Sequence, residues 1–361
     1  MKRILLFFLL FFIFLSSSAI DLKEINLDKN FKIKIYADKV KGSRTLAYAK
    51  PGVVFVGTRI GKVYALIDDN NDFKADRIIT IADDLNQPNG IDYYKGNLYV
   101  AEIKRILVFK NILENLKSPK FSVLYNNLPD QTHHEWRYLK IGPDEKIYVS
   151  IGAPCNVCNP KDERFATICR LDLSGNSFEI YARGIRNSVG FDWHPETNNL
   201  WFTDNGRDWM GDNLPPDELN RAENKNLHFG FPYIHGKNIQ DPKFGKNPEN
   251  ISNFKKPEVE LGPHVAALGM RFYTKKSFPE KYHKSIFIAQ HGSWNRSTPI
   301  GYRVINIQQK NNEYKKIIFA DGWLKGRTKL GRPVDIEILS DGSIIVSDDK
   351  NGIIYRIFYK E

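Results

Sequence analysis

The sequence predicts an all-β fold, a six-bladed β-propeller, on three observations. A strand–turn–strand unit recurs six times, as TLAYAKPGVVFVGT (45–58), GIDYYKGNLYVAE (90–102), RYLKIGPDEKIYVSIG (137–152), VGFDWHPETNNLWFTDNG (189–206), GMRFYTKKSFPEKYHKSIFIAQHG (269–292) and VDIEILSDGSIIVSDD (334–349). The centres of the second strands are Phe55, Tyr99, Tyr148, Trp201, Phe287 and Ile345. Most lie roughly 50 residues apart, a period of propeller blades rather than helical solenoids. Further strands follow most copies, so each unit reads as a three- or four-stranded antiparallel sheet.

The elements follow in order. Pro51-Gly52, Lys95-Gly96, Pro143-Asp144 and Asp341-Gly342 supply the turns that hairpins require. KVYALID (62–68), RILVFK (105–110), TICRLDL (167–173), YRVINI (302–307) and GIIYRIFY (352–359) supply the further strands. The early segment FKIKIYAD (31–38) is expected to pair with the last unit and close the ring. The long gap between Trp201 and Phe287 is read as an insertion over one face, residues 207–263, rich in Asn, Pro and Gly. The alternative to a closed ring is an open β-sandwich.

The first residues read as a targeting signal, 1–19. Lys2 and Arg3 precede an apolar run of 12 residues, Ile4 to Leu15, and Ser16-Ser17-Ser18-Ala19 offers a cleavage site. A bilayer-spanning helix needs about 20 residues, so the run is too short to span. An uncleaved anchor is the alternative. A mature chain of residues 20–361 is expected, forming a single propeller domain, exported to the periplasm or secreted, without stable membrane insertion. Net charge is +11, and +9 without Lys2 and Arg3. The basic residues are dispersed rather than massed in a tail, and with export this argues against nucleic acid as a partner.

Cys155, Cys158 and Cys169 are the three cysteines. Asn159 follows the CxxC, so this is not a haem-attachment motif. Three cysteines without a nearby His pair make a poor zinc site. A local Cys155–Cys158 disulfide is expected in an oxidising compartment, with free thiols as the alternative.

Strands one and two of a blade are antiparallel, so the start of one and the end of the other share a face near the central channel. The starts carry Arg44, Pro88-Asn89, His133-His134, Arg186-Asn187, Val265-Ala266 and Arg332. The ends carry Thr58-Arg59, Glu102, Gly152, Asp204-Asn205-Gly206, Gln290-His291 and Asp348-Asp349. A cationic, hydrogen-bonding face over a channel suits a small-molecule site. His133 and His134 are candidates for a general base, since histidine titrates nearest neutrality. Either could equally cap a turn or pack under a loop.

HHEWRYLKIGPDEKIYVSIGAPCNVC, ARGIRNSVGFDWHP, LWFTDNGRDWMGDNLPPDELN, HVAALGMRFY, FIAQHGSWNRSTPIGY and GRPVDIEI resemble the glucose/sorbosone dehydrogenase family, and its sorbosone-dehydrogenase-like branch in particular. The likeness covers residues 31–358. It implies an exported six-bladed quinoprotein using pyrroloquinoline quinone (PQQ) and Ca²⁺, which oxidises an aldose or sugar aldehyde and passes electrons to a quinone or periplasmic carrier.

By the same resemblance His134 is the base and Arg186 stabilises charge developing on the cofactor. Asn187 hydrogen-bonds beside it, and Asn205, Gly206, Asp217 and Arg332 lie at the cofactor. Carbonyls of Gly206 and Arg207, with Glu218 nearby, are assigned to calcium. The chemistry is coherent. Hydride removal from a sugar carbon needs a base for the hydroxyl proton. A cation and an arginine stabilise the reduced quinone oxygen, and oxygen donors suit calcium.

The glucose-oxidising branch differs at three places. Its second cofactor arginine corresponds to Val334 here, its Trp-Pro-Thr stretch to Gly262-Pro263-His264, and the aspartate before its base to His133. His291, Trp294 and Arg296 of the QHGSWNR loop are expected to replace part of the cofactor clamp. Two other readings stand beside the dehydrogenase. One is a calcium-dependent, lactonase-like hydrolase built on Glu102, Asn89, Asn187 and Asp348. The other is a non-catalytic propeller that binds carbohydrate or protein.

Overall fold

A computed structural model describes residues 20–246, 253–311 and 313–360. The proposed targeting signal, residues 1–19, lies outside the described residues. Six antiparallel sheets surround a central channel as the blades of a propeller. Their first, innermost strands are Ser43–Lys50, Gly90–Tyr94, Leu139–Ile141, Phe191–Trp193, Ala267–Phe272 and Pro333–Ile338. Their second strands are Val53–Thr58, Asn97–Ala101, Ile147–Ile151, Leu200–Asp204, Ile286–Gln290 and Ile344–Asp348. Five of these six are buried at every position. A blade is covered on both faces by its neighbours, so its middle reads as a continuous apolar run rather than an alternating one.

Turn chemistry sets the hairpin register. Tyr94 pairs with Asn97 across a two-residue loop, Lys95-Gly96, and both loop residues take positive φ, 45° and 86°. That is the primed-turn geometry that matches strand twist.

The hydrophobic core is divided among the six blade interfaces. Phe55 and Leu107 belong to the cluster between blades one and two, Val149 to that between two and three, and Phe202 to that between three and four. Ile288 marks the interface of blades four and five, Phe287 that of five and six, and Val54 with Ile345 that of six and one. Three channel carboxylates bridge alternate interfaces. Asp92 accepts the Ile141 N–H at 2.8 Å, Asp192 the Phe272 N–H at 3.0 Å, and Asp335 the Leu46 N–H at 2.9 Å. Close approach needs glycine here: a Cβ on Gly269 would sit 2.0 Å from Asp335 Oδ1.

The ring closes as expected. Phe31–Ala37 pairs antiparallel with Ile353–Tyr359 and becomes the outer strand of the sixth blade. Asn26–Leu27 adds to the fifth.

The proposed insertion at 207–263 is corrected. Pro216–Ala222 and Val259–Pro263 are the third and fourth strands of the fourth blade. Only the segment between them departs from the blade plan, with Leu227–His228 joining the third blade in parallel and a short hairpin, Ile234–His235 with Ile239–Gln240. PDELNRA and VELGP contain Pro, Asn and charged residues poor in strand propensity. Burial and pairing in the blade override that preference.

Phe31 anchors the closing strand. Its ring contacts Phe278, Tyr282, Phe319 and Tyr359 edge-on, at centroid distances of 4.7, 5.5, 4.9 and 5.2 Å. Phe31→Ala is expected to destabilise the protein by about 3–5 kcal/mol, read as a lower denaturation midpoint in urea. A midpoint unchanged from wild type would show that the closing strand contributes little.

Candidate active site

The starts of the first strands and the ends of the second converge on one face, where a cavity of about 350 Å³ opens over the channel. Arg44, His134, Arg186, Asn187 and Arg332 reach it from strand starts, and Asn205, Gly206 and His291 from strand ends. Below it Val189, Leu268 and Val334 form a small apolar plug. Val189 and Leu268 also line the cavity, and Val334 completes their apolar cluster.

Three arginines line the cavity, in different electrostatic states. Arg44 donates to Asn89 Oδ1 at 2.9 Å and to Asp349 Oδ2 at 3.1 Å, with its guanidinium 4.5 Å over Trp136. Arg186 is paired with Asp208 at 3.0 Å. Arg332 instead donates to two backbone carbonyls, His291 at 3.1 Å and Gly292 at 2.8 Å. Among the described residues it makes no direct ion pair; its guanidinium lies 5.7 Å over the Tyr302 ring, and the Asp349 and Asp348 charges act on it from farther away. A buried charge in that state favours an anionic ligand.

His134 and His133 separate here. His133 is exposed; His134 is largely buried and lines the cavity. Both hold left-handed backbone, φ 88° and 49°, unusual for non-glycine residues and characteristic of functional loops. Gly152 permits the approach, because a Cβ there would sit 2.5 Å from the His134 Cβ. His134 Nδ1 is 2.8 Å from the Ala153 carbonyl oxygen. A carbonyl only accepts, so Nδ1 carries the proton and Nε2 keeps its lone pair. Burial, then the neighbouring Arg186 charge, push the His134 pKa down to about 2. The imidazole is neutral at working pH.

Carboxylates shape the floor. Asp204 accepts the backbone N–H groups of Arg186 at 2.8 Å and Asn187 at 2.6 Å. Asp217 accepts those of Gly206 at 3.0 Å and Ala267 at 2.9 Å. Glu218 accepts from the Gly236 N–H at 2.6 Å and the Asn220 carboxamide at 2.9 Å. Burial raises all three, to about 7, 6 and 8, with mutual repulsion adding to it for Asp204 and Glu218. A second, small cavity of about 10 Å³ lies between Asp204, Glu218, Asn205 and Gly206. No group of three or more His, Cys, Asp or Glu side chains poised for a metal occurs among the described residues.

Of the sequence candidates, His134, Arg186, Asn187, Asn205, Gly206, Asp217, His291 and Arg332 meet in the main cavity. Glu218 lines only the small one. Arg207 turns its guanidinium to Asp241 at 2.5 Å, in the ion pair that also holds His235. Arg296 is corrected: it does not line the cavity. Its guanidinium bonds the Thr298 carbonyl at 3.1 Å and the Asp212 carbonyl on the rim. Trp294 does line the cavity, packed edge-on against Trp209 at 5.7 Å. The lactonase-like set is not assembled. Glu102 pairs with Arg105, Asn89 bridges Arg44 and the Arg137 carbonyl, and Asp348 binds Asn351 and Tyr355.

Sequence reasoning missed Asn156, Asp208, Trp136, His264 and Asn295. Asn156 lies inside the CxxC and Asp208 in the 207–263 stretch, and each meets its partners only across the fold. The structure joins Cys155 and Cys158 in a disulfide; Cys169 is a free, buried thiol.

Residues 99–356 match the profile of the family described as Glucose / Sorbosone dehydrogenase. A protein of Borreliella burgdorferi, described as uncharacterized, is 39% identical over 372 residues, covering 96% of this chain and 95% of its own length. Solved structures share the fold. The calcium structure of a Trichoderma reesei family AA12 enzyme superposes with TM-score 0.81 at 17% identity, covering 96% of this chain and 100% of its own. The holo PQQ domain of Coprinopsis cinerea pyranose dehydrogenase gives 0.78 at 17%, covering 92% and 97%. The PQQ-bound aldose sugar dehydrogenase of Streptomyces coelicolor gives 0.64 at 17%, covering 93% and 100%.

His291 provides a test of the cavity wall. Its Nε2 donates to Asp349 Oδ1 at 2.9 Å, and burial lowers its pKa to about 4 despite that carboxylate. Unfolded histidine titrates near 6.5. As pH falls from about 6.5 toward 4, the unfolded chain gains a proton that the folded chain refuses, so stability falls. His134, and His228 at about 4, act in the same direction. Asp204, Asp217 and Glu218, raised by burial, act in the opposite direction over this range, so the histidine contribution is a drop in melting temperature between pH 7 and pH 5 relative to what the carboxylates alone would give. His291→Asn should make that drop shallower; an equal slope in wild type and variant would contradict a buried neutral His291.

Proposed function

The chain belongs to the glucose/sorbosone dehydrogenase family, and on that premise we propose that it oxidises an aldose or sugar aldehyde with PQQ bound in the arginine-lined cavity. The observation that carries this reading is one cavity lined by His134, whose Nδ1 is bound to the Ala153 carbonyl, together with the cations Arg44, Arg186 and Arg332. The residues suit the cofactor. PQQ is a tricarboxylate, and Arg332 and Arg44 are cations at the cavity wall, while the Asn187 carboxamide is a hydrogen-bonding group at the same wall. When bound, PQQ would supply the two-electron acceptor.

The chain's own groups supply positioning and proton handling. His134 Nε2 takes the sugar hydroxyl proton, and the Nδ1–H bond to the Ala153 carbonyl keeps the ring in the required tautomer. Its low pKa in the free protein arises from burial and from Arg186. An anionic ligand held in the cavity would oppose the Arg186 part of that depression, while the larger part, burial, would remain. Arg186, oriented toward the same cavity, stabilises negative charge as it develops on the acceptor.

The resemblance would place calcium near the small cavity lined by Asp204, Glu218, Asn205 and Gly206, a cavity that Arg186, Phe229 and Phe231 also line. Desolvated carboxylates with raised pKa gain most from a divalent cation. By the resemblance, backbone carbonyls of Gly206 and Arg207 would be among its ligands. Export of the mature chain and electron transfer to a quinone or periplasmic carrier complete the proposal.

The experiment loads the mature chain with calcium, titrates PQQ by absorbance, and assays dye reduction over a panel of aldoses and sugar aldehydes. His134→Ala should lower kcat by about 10²–10⁴-fold while PQQ still binds. Arg332→Ala should weaken PQQ binding by about 10-fold or more, as loss of a charge-assisted hydrogen bond implies. Absence of saturable PQQ binding in the wild type would sink the reading.

A further inference from the structure

The Cys155–Cys158 loop carries more than a covalent staple. Asn156 sits inside the four-residue ring that the disulfide closes. Its backbone carbonyl accepts from Arg186 Nε at 2.8 Å, and its side-chain Oδ1 accepts from Arg186 Nη2 at 2.9 Å. The same Oδ1 accepts the Asp208 N–H at 2.8 Å, while Nδ2 donates to the Asp208 carbonyl at 3.1 Å. Asp208 in turn pairs with Arg186 Nη2 at 3.0 Å. The remaining guanidinium bond goes from Nη1 to the Asn205 carbonyl at 3.1 Å. Asn156 thus grips one edge of the guanidinium directly and fixes its acidic partner as well.

The loop also reaches the base. Ala153, two residues before Cys155, donates its N–H to the Arg186 carbonyl at 2.8 Å and accepts from His134 Nδ1. Packing of Cys155 and Val157 against Ala153, Ala166 and Phe231 seats the ring. A guanidinium has many rotamers to lose, and a rigid partner reduces the number it samples. We propose that Asn156, held in the Cys155–Cys158 ring, is a positioning residue that sets the orientation of Arg186 in the cavity. The catalytic consequence rests on the function proposed above; the positioning itself does not.

Two measurements test it. In the apo protein, Arg186 is nearly inaccessible, with 4% of its surface exposed. Phenylglyoxal labelling followed by peptide mapping should leave Arg186 protected in wild type and labelled in Asn156→Ala. Asn156→Asp, which keeps both Oδ1 acceptor contacts, should restore protection. Cys155→Ser/Cys158→Ser should raise labelling while Asn156 itself is unchanged. In the PQQ-loaded enzyme, Asn156→Ala should lower kcat by up to about 10²-fold, the scale of a 1 Å misplacement, with sugar KM little changed and partial rescue by Asn156→Asp. Wild-type protection of Arg186 in Asn156→Ala would overturn the proposal. So would labelling that Asn156→Asp fails to reverse, since that marks general loosening. If wild type binds no PQQ, the functional reading fails, while the labelling result still decides the positioning.

Discussion

Pairing of Phe31–Ala37 with Ile353–Tyr359 holds the ends of the chain together, and the geometry of the cavity depends on it. A propeller has no core of its own inside a single blade. Each blade buries its apolar faces against two neighbours, so an open ring would leave two faces wet. Closure completes the interface between blades five and six through Phe31 and that between six and one through Tyr36. It also brings Arg44, near the beginning of the chain, within 3.1 Å of Asp349, near its end. The clamp at the cavity wall is therefore a product of ring closure.

Once the ring is closed, electrostatics gives the site its character. Cations sit at the wall and carboxylates beneath the floor, and most are neutralised internally. Arg44 and Arg186 bond carboxylates directly, whereas Arg332 bonds two carbonyls and lies over the Tyr302 ring. Burial of Asp349 opposes its ionisation, but His291 and the two arginines Arg44 and Arg59 outweigh that and hold it below the usual carboxylate range. The same burial keeps His134 and His291 neutral. A neutral imidazole and three guanidinium groups thus line one cavity, a combination that favours an anionic ligand.

The loops of the third, fourth and fifth blades are tied into one unit around Asp208. Its carboxylate receives Arg186 and the Asn295 carboxamide, the latter at 2.5 Å, and its backbone N–H and carbonyl bond the Asn156 side chain. Rigid placement of this kind lets a site built on loops keep the tolerance of one built on strands. Arg296 contributes to the unit from the rim, through Asp212, rather than from inside the cavity.

Blade number, ring closure and the shared face of His134, Arg186, Asn205 and Arg332 were legible in the sequence, because they follow from local periodicity and from the antiparallel sense of a hairpin. The preference for His134 over His133 as a base follows from the family resemblance; in the structure His134, not His133, lines the cavity, with Nδ1 bound to the Ala153 carbonyl. What the sequence could not reveal lies in contacts between residues distant along the chain. The third and fourth strands of the fourth blade escaped notice because PDELNRA and VELGP lack strand propensity, and only pairing with neighbours makes them strands. Asn156 and Asp208 were invisible for a related reason: each acts through a partner 22 to 52 residues away. Periodicity is a property of neighbours in sequence and so determined the blades. The hydrogen-bond partners of a guanidinium depend on where separate loops meet, and only the closed ring decides that.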